Sequence, residues 1–280
     1  MKNYYCLVAG MPDISPDDAK LSLTVSDFKA NYLPELSKSD RKLIDLFFLQ
    51  YDHRNLLAML SDGETAPFDD RAVYSREELA EALEQVKMGE EQGRRLPSYF
   101  YTFIASYPEL KEQSDQLSED VLASAYYQYA LTCKNRFVAG WFAFNLNVNN
   151  ILVALTARKY GFQAAPYLVG QGEVVEALAS SGARDFGLSS ELDYMDEVMR
   201  ISEINNAVEK ERKQDLLKWD WLEEQTFFHY FSVERLFAFL VKLDIVERWM
   251  SIDKEKGSAV FRGLIDKLKN EVEIPADFKK

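Results

Sequence analysis

Four asparagines, Asn145, Asn147, Asn149 and Asn150, fall within six residues of an otherwise apolar run from Phe142 to Leu155. Asparagine side chains compete with the backbone for hydrogen bonds, so they favour caps and turns over helix interiors. The stretch therefore predicts a helix running in, an asparagine-built break, and a second helix running out through Arg158 and Lys159 to a stop at Gly161. The pattern Asn147-x-x-Asn150-Ile151-Leu152-x-x-Leu155 has an earlier counterpart in Asp52-x-x-Asn55-Leu56-Leu57-x-x-Leu60, and the upstream aromatics Phe142 and Phe47 correspond as well. Two copies of so particular a pattern imply an internal duplication. Asp52, Asn55, Asn147 and Asn150 are then a structural repeat motif, with the asparagines capping a helix start in each copy.

A chain of 280 residues can bury a sizeable core. It reads as a single all-helical domain over 1–280, with repeats over about 15–110 and 118–280. The formal charge of −13, from 46 acidic against 33 basic residues, argues against nucleic acid or an anionic membrane face as the main partner and fits a neutral or basic protein. Cys6 and Cys133 are far apart in sequence and read as buried small hydrophobes in a reducing cytoplasm. The apolar run Tyr4 to Ala9 is too short for a signal peptide. With no run of roughly 18 or more apolar residues, the chain is not expected to insert into a membrane; a protein partner would hold it there.

Most of the sequence reads as helix. Asn3 to Ala9 suits a short strand or a buried extended lead-in. Ser15-Pro16-Asp17-Asp18 looks like a helix start, with Leu21, Val25, Phe28 and Tyr32 on one face and Pro34 as the stop. Ser37 or Ser39 caps the next helix, which carries Leu43, Leu46 and Phe47 into the first repeat copy. Residues 61–72 read as a polar, mobile loop, and Ser75 with Glu78 forms a capping box for a helix that frays through Gly89 and Gly93. Pro97 to Ile104 is an aromatic helix that Pro108 cuts short. Ser118 opens the longest pattern, which reaches Trp141 and the asparagines. Residues 163–172 are irregular, and Ser189 or Ser190 caps a helix carrying Leu192 and Val198. Glu203 to Glu224 is an exposed amphipathic helix broken by Phe227 to Phe231. Ser232 caps a helix with Leu236, Phe239, Leu240 and Leu243, a last helix starts at Gly257, and Ile274 to Lys280 is a tail.

Catalytic chemistry has little footing. His53 and His229 are the only histidines, and Thr226 stands where a Glu-x-x-His metal pair would need its carboxylate. Gly170-Gln171-Gly172 lacks the third glycine of a dinucleotide loop, and neither a Walker lysine motif nor a Gly-x-Ser-x-Gly elbow is present. The aromatic groups around Tyr99, Tyr126 and Phe227 read as core. The expectation is a protein without catalytic residues, metal or cofactor. A helical-repeat adaptor of an unrelated complex is the alternative.

Asn150-Ile-Leu-Val-Ala-Leu155-Thr-Ala157-Arg158-Lys-Tyr-Gly161 resembles the Asn-Leu-Arg-x-x-Leu-Arg-Ala-Lys-x-x-Gly signature of the C (also called d) subunits of the V-type ATPase central stalk. Leu152 and Thr156 replace that family's arginines. Phe231-Ser-Val-Glu-Arg-Leu236-Phe-Ala-Phe-Leu240, followed by Asp244-Ile-Val-Glu247-Arg248, is similar to its C-terminal region. The whole chain, opening with Asn3-Tyr-Tyr-Cys-Leu-Val-Ala-Gly10-Met-Pro12, more closely resembles an uncharacterised bacterial family encoded in V-type ATPase operons that lack an ordinary central-stalk d subunit. The resemblance implies a funnel of helical repeats in the cytoplasm, peripheral to the inner membrane. It also implies partners: the central-shaft subunits and the membrane rotor ring of an enzyme coupling proton or sodium ion transport to ATP hydrolysis or synthesis. Such a subunit transmits torque and catalyses nothing.

Overall fold

The computed structural model describes residues 3–89, 95–113 and 115–271, with side chains described as far as 252 except at 64 and 115–117. Gly93 and the tail from Ile274 to Lys280 lie outside the described residues. The described residues form eleven α-helices and no strand: α1 Tyr5–Ala9, α2 Val25–Tyr32, α3 Lys38–Asp62, α4 Arg76–Lys87, α5 Ser98–Gln113, α6 Asp115–Leu131, α7 Arg136–Tyr160, α8 Glu173–Ser180, α9 Met195–Ser202, α10 Ala207–Thr226 and α11 Val233–Glu271. The protein is all-α.

Sequential neighbours pack as α4 on α5, α5 on α6 and α6 on α7. Helix α7 also meets α8, α9 and α10, while α11 lies against α2, α3, α7 and α10. The core therefore runs along α3, α7 and α11, through Ile44, Phe48 and Leu56, through Val138, Val148 and Ile151, and through Leu236, Phe237, Leu240 and Leu243, all fully buried. Each such side chain contributes about 1.5–3 kcal/mol on leaving water. By length and composition α7 is apolar enough to cross a membrane, yet 56% of its most apolar window is buried in the protein, as befits a central core helix.

Several boundaries differ from the sequence reading. Residues 5–9 are helical. Ser15 closes a tight turn, its N–H donating to Asp18 Oδ2 at 2.8 Å. Helix α2 starts only at Val25, where Thr24 and Asp27 form a capping box and Glu247 of α11 accepts the Val25 N–H at 2.8 Å. Helix α5 continues through Pro108, held against α6, with Phe103, Ile104 and Tyr107 buried. The short helix α8 has no counterpart in the sequence reading. Gly257 starts no new helix, because α11 runs unbroken for 39 residues. Cys6 is exposed and Cys133 half-buried, so neither is the core thiol expected.

The largest correction concerns the asparagines. Helix α7 passes through all four without a break, and the real interruption lies at 132–135, where Asn135 caps α7 by accepting the Val138 N–H at 3.0 Å. Asn145, Asn147 and Asn150 spend their amides on other segments, so they do not compete for the backbone of their own helix.

Candidate functional site

Ser37 caps α3 and Asn135 caps α7, so Asn55 and Asn150 are not cap residues. Each sits buried in the middle of a 25-residue helix and grips a later loop. Asn55 Nδ2 donates to the Asp69 carbonyl at 3.0 Å, while its Oδ1 accepts the Asp69 N–H at 2.8 Å. Asn150 repeats the geometry on Val169, with its Nδ2 donating to the carbonyl at 2.8 Å and its Oδ1 accepting the N–H at 2.9 Å. A primary amide is the side chain that can satisfy both groups of one peptide residue at once. After each clamped loop the chain enters another helix, α4 and α8 respectively.

The other two members of the pattern diverge. Asn147 Nδ2 donates to the Tyr194 hydroxyl at 3.1 Å. Buried Asp52 instead accepts the N–H groups of Val73 and Tyr74 at 2.8 and 2.9 Å. Lys29 donates to the carbonyls of Asp70 and Ala72, and Arg76 to that of Ala66 at 2.7 Å. The polar stretch read as mobile is thus fastened from α2, α3 and α4. The signature residues of α7 work similarly: Arg158 donates to the carbonyls of Ser181, Ala183 and Arg184 and lies over the Phe186 ring. Gly161 ends the helix at φ 74°, a left-handed conformation that suits glycine.

Burial pushes the Asp52 carboxyl up to about 7, against its two backbone donors and the Lys29 charge, which act in the other direction. A carboxyl whose folded-state pKa is raised favours the protonated native state, so its contribution is fully present below about 4 and is lost as pH rises towards about 7. Asp52→Asn, which installs the residue found at the equivalent position 147, removes that titration. The expected result is a urea midpoint that rises relative to wild type between pH 4 and 7 and runs parallel to it above; parallel curves throughout would show that Asp52 does not titrate in this window.

Helices α3 and α7 face a common cavity of about 630 Å³, completed by α6, α10 and α11. The aromatics that the sequence pattern matches, Phe47 of α3 and Phe142 of α7, both line it, together with Gln50 and Asn145. Exposed Arg54, Glu119 and Glu211 mark its opening to solvent. In its wall, Asp215 accepts from the Trp249 indole at 2.7 Å and from Arg248, which also pairs with Glu211. Asp244 accepts the Tyr51 hydroxyl at 3.0 Å, and burial raises its carboxyl above the usual range. Burial likewise holds the Lys218 ammonium below the usual lysine range, opposed by the charges of Asp215, Glu211 and Asp244. Asn145 Nδ2 donates to Tyr127 at 2.8 Å, while its buried Oδ1 has no partner among the described residues.

The sequence pattern puts the charges of α10 in solvent, but Asp215, Trp219, Leu222 and Thr226 are all buried, at i, i+4, i+7 and i+11. That spacing puts the acid on the apolar face, and it is the signal that could have revealed the wall.

Three acids of the wall are engaged: Glu211 by Arg248, Asp215 by Arg248 and Trp249, and Asp244 by Tyr51. His53 reaches the cavity, but its Nε2 is tied to the Tyr99 hydroxyl at 2.7 Å and burial pulls the ring down to about 3, which leaves it neutral. His229 lies half-buried against the Phe137 ring. No cluster of three metal-ligating side chains occurs among the described residues. Phe100 and Tyr101 are core, whereas Phe227, Phe228 and Tyr230 are exposed, against expectation.

The family model described as "Protein of unknown function (DUF2764)" matches residues 1–272. No curated protein and no solved structure matches the chain.

Proposed function

The chain belongs to this DUF2764 family, and we propose that it is a non-catalytic central-stalk subunit of a V-type ATPase or ATP synthase, coupling the central shaft to the membrane rotor ring. The observation that carries the reading is the pair of long helices, α3 and α7, each clamped through an asparagine and both walling one open cavity. A body whose two long helices are each tied to a loop behind them is suited to carrying a mechanical load between partners. The signature-like run from Asn150 to Gly161 supports the same reading: on α7 its Asn, Arg and Gly all do structural work. A role at the inner membrane, on its cytoplasmic side, follows from the proposed partners.

The test is affinity purification of the tagged chain from native membranes in mild detergent. Shaft and ring subunits of the rotary enzyme are expected in the eluate, and deletion is expected to uncouple ATP turnover from ion transport. A chain recovered free of those subunits, with deletion leaving the enzyme intact and coupled, would sink the proposal in favour of an adaptor in another complex.

A further inference from the structure

The turn joining α10 to α11 is an unbroken run of large rings around one histidine, Phe227-Phe228-His229-Tyr230-Phe231. In a folded chain such a run is ordinarily core. Here Phe227 is 66% exposed, Phe228 80% and Tyr230 62%, so the rings protrude. Helix α1 extends the patch: the Tyr4 N–H donates to the Phe231 carbonyl at 2.8 Å, and Tyr5, 58% exposed, packs on Phe231 with ring centroids 4.7 Å apart. Monomeric soluble proteins seldom present contiguous apolar surface of this kind without a use for it.

Charge at this end is unlike that of the chain as a whole. Asn135, in the turn before α7, donates to Glu234 at 2.7 Å, and the Phe137 ring lies 6.0 Å from His229. This brings exposed Lys134 and Arg136 beside the aromatic turn, and neither is in an ion pair among the described residues. Of the nearby acids, Glu234 is buried and Glu223 is engaged by Lys242 and Arg235, which leaves Glu224 as an exposed one. A locally basic, aromatic end on a chain of net charge −13 would orient that end towards an anionic surface while the remainder is repelled.

We propose that this end is a direct contact with the lipid–water interface. Phe227 and Phe228 enter the boundary between headgroups and acyl chains, the hydroxyl-tipped rings of Tyr5 and Tyr230 lie at headgroup depth, and Lys134 and Arg136 face lipid phosphates. Protruding rings rather than a groove, phenols beside phenyls, and cations at the margin are the chemistry of an interfacial anchor. The contact does not depend on the rotor reading and adds a lipid-facing surface to whatever protein partners the chain has.

Flotation of the purified full chain with vesicles of phosphatidylcholine, alone and mixed with phosphatidylglycerol, tests it. Wild type is expected to float with both. Phe227→Ser with Phe228→Ser should lower partition by about tenfold or more. Lys134→Glu with Arg136→Glu should lower it several-fold on the phosphatidylglycerol vesicles only, in a salt-sensitive way. If the double serine variant folds poorly, Phe228→Ser alone should show a smaller loss in the same direction. Wild type that stays in solution with both vesicle types, or a serine variant that floats as well as wild type, overturns the proposal. So does self-association of wild type that the serine variant abolishes without any vesicle binding, because a second copy of the chain would then be the occupant.

Discussion

Alanine at Asn150 is expected to destabilise the protein by about 2–3 kcal/mol, and alanine at Asn55 by a similar amount. Each change removes two hydrogen bonds and leaves an N–H and a carbonyl, on Val169 or on Asp69, without their partner. Both loop residues are half-buried, so water can reach them in part, which holds the estimate below the full penalty for two orphaned groups. Aspartate at 150 is the sharper probe. It keeps an acceptor for the Val169 N–H but sets a carboxylate against the Val169 carbonyl, so it should cost at least as much as alanine. The two clamps share no partner, and the losses in the double alanine variant should therefore add. Urea unfolding of the four variants checks this; a loss below about 0.5 kcal/mol for both alanines would show that the clamps are incidental to stability.

Asp215→Ala should cost about 2–4 kcal/mol, because Asp215 is buried in the cavity wall and serves two donors. The indole N–H of Trp249, itself buried, would lose its acceptor, whereas Arg248 is partly exposed and keeps Glu211. Most of the loss should therefore trace to Trp249. Asn at 215 preserves one acceptor oxygen and should recover roughly half of the loss, with Trp249→Phe in the Asp215→Ala background recovering part of the remainder. Thermal unfolding of this set, read beside partner capture, also bears on function: a wall that only supports the cavity weakens stability and capture together, and a wall that touches the partner weakens capture in the stable Asn variant too.

Local chemistry made much of the fold legible. Ser37 and the Ser75–Glu78 box mark true helix starts, and the aromatic run from Phe227 does end a helix. What failed depended on where a polar side chain sends its hydrogen bonds. Asn145, Asn147 and Asn150 read as helix breakers because a sequence shows the competing amide but not the distant loop, tyrosine or carbonyl that satisfies it. The same blindness made residues 61–72 look mobile, since the lysine, asparagine and arginine that fasten them, Lys29, Asn55 and Arg76, lie on the flanking helices. Helix α2 starts after Thr24 rather than at Ser15-Pro16, and beside its local box with Asp27 it has an anchor that lies more than two hundred residues away, Glu247, which accepts the Val25 N–H. Of the cavity, the matched aromatics Phe47 and Phe142 were visible as a pattern, but the acid on the apolar face of α10 was hidden among its many charges.

The paired amide contact also acts as a phase lock on each long helix. A donor and an acceptor must both meet one peptide unit, so the helix is fixed in rotation about its own axis as well as in position along it. One residue inserted between Ser37 and Asn55, or between Asn135 and Asn150, would swing the amide by about 100° and break both contacts at once. Length changes there are tolerable only in steps close to whole turns, and the face that each helix presents to the cavity is set by its own loop, through Asp69 for α3 and through Val169 for α7.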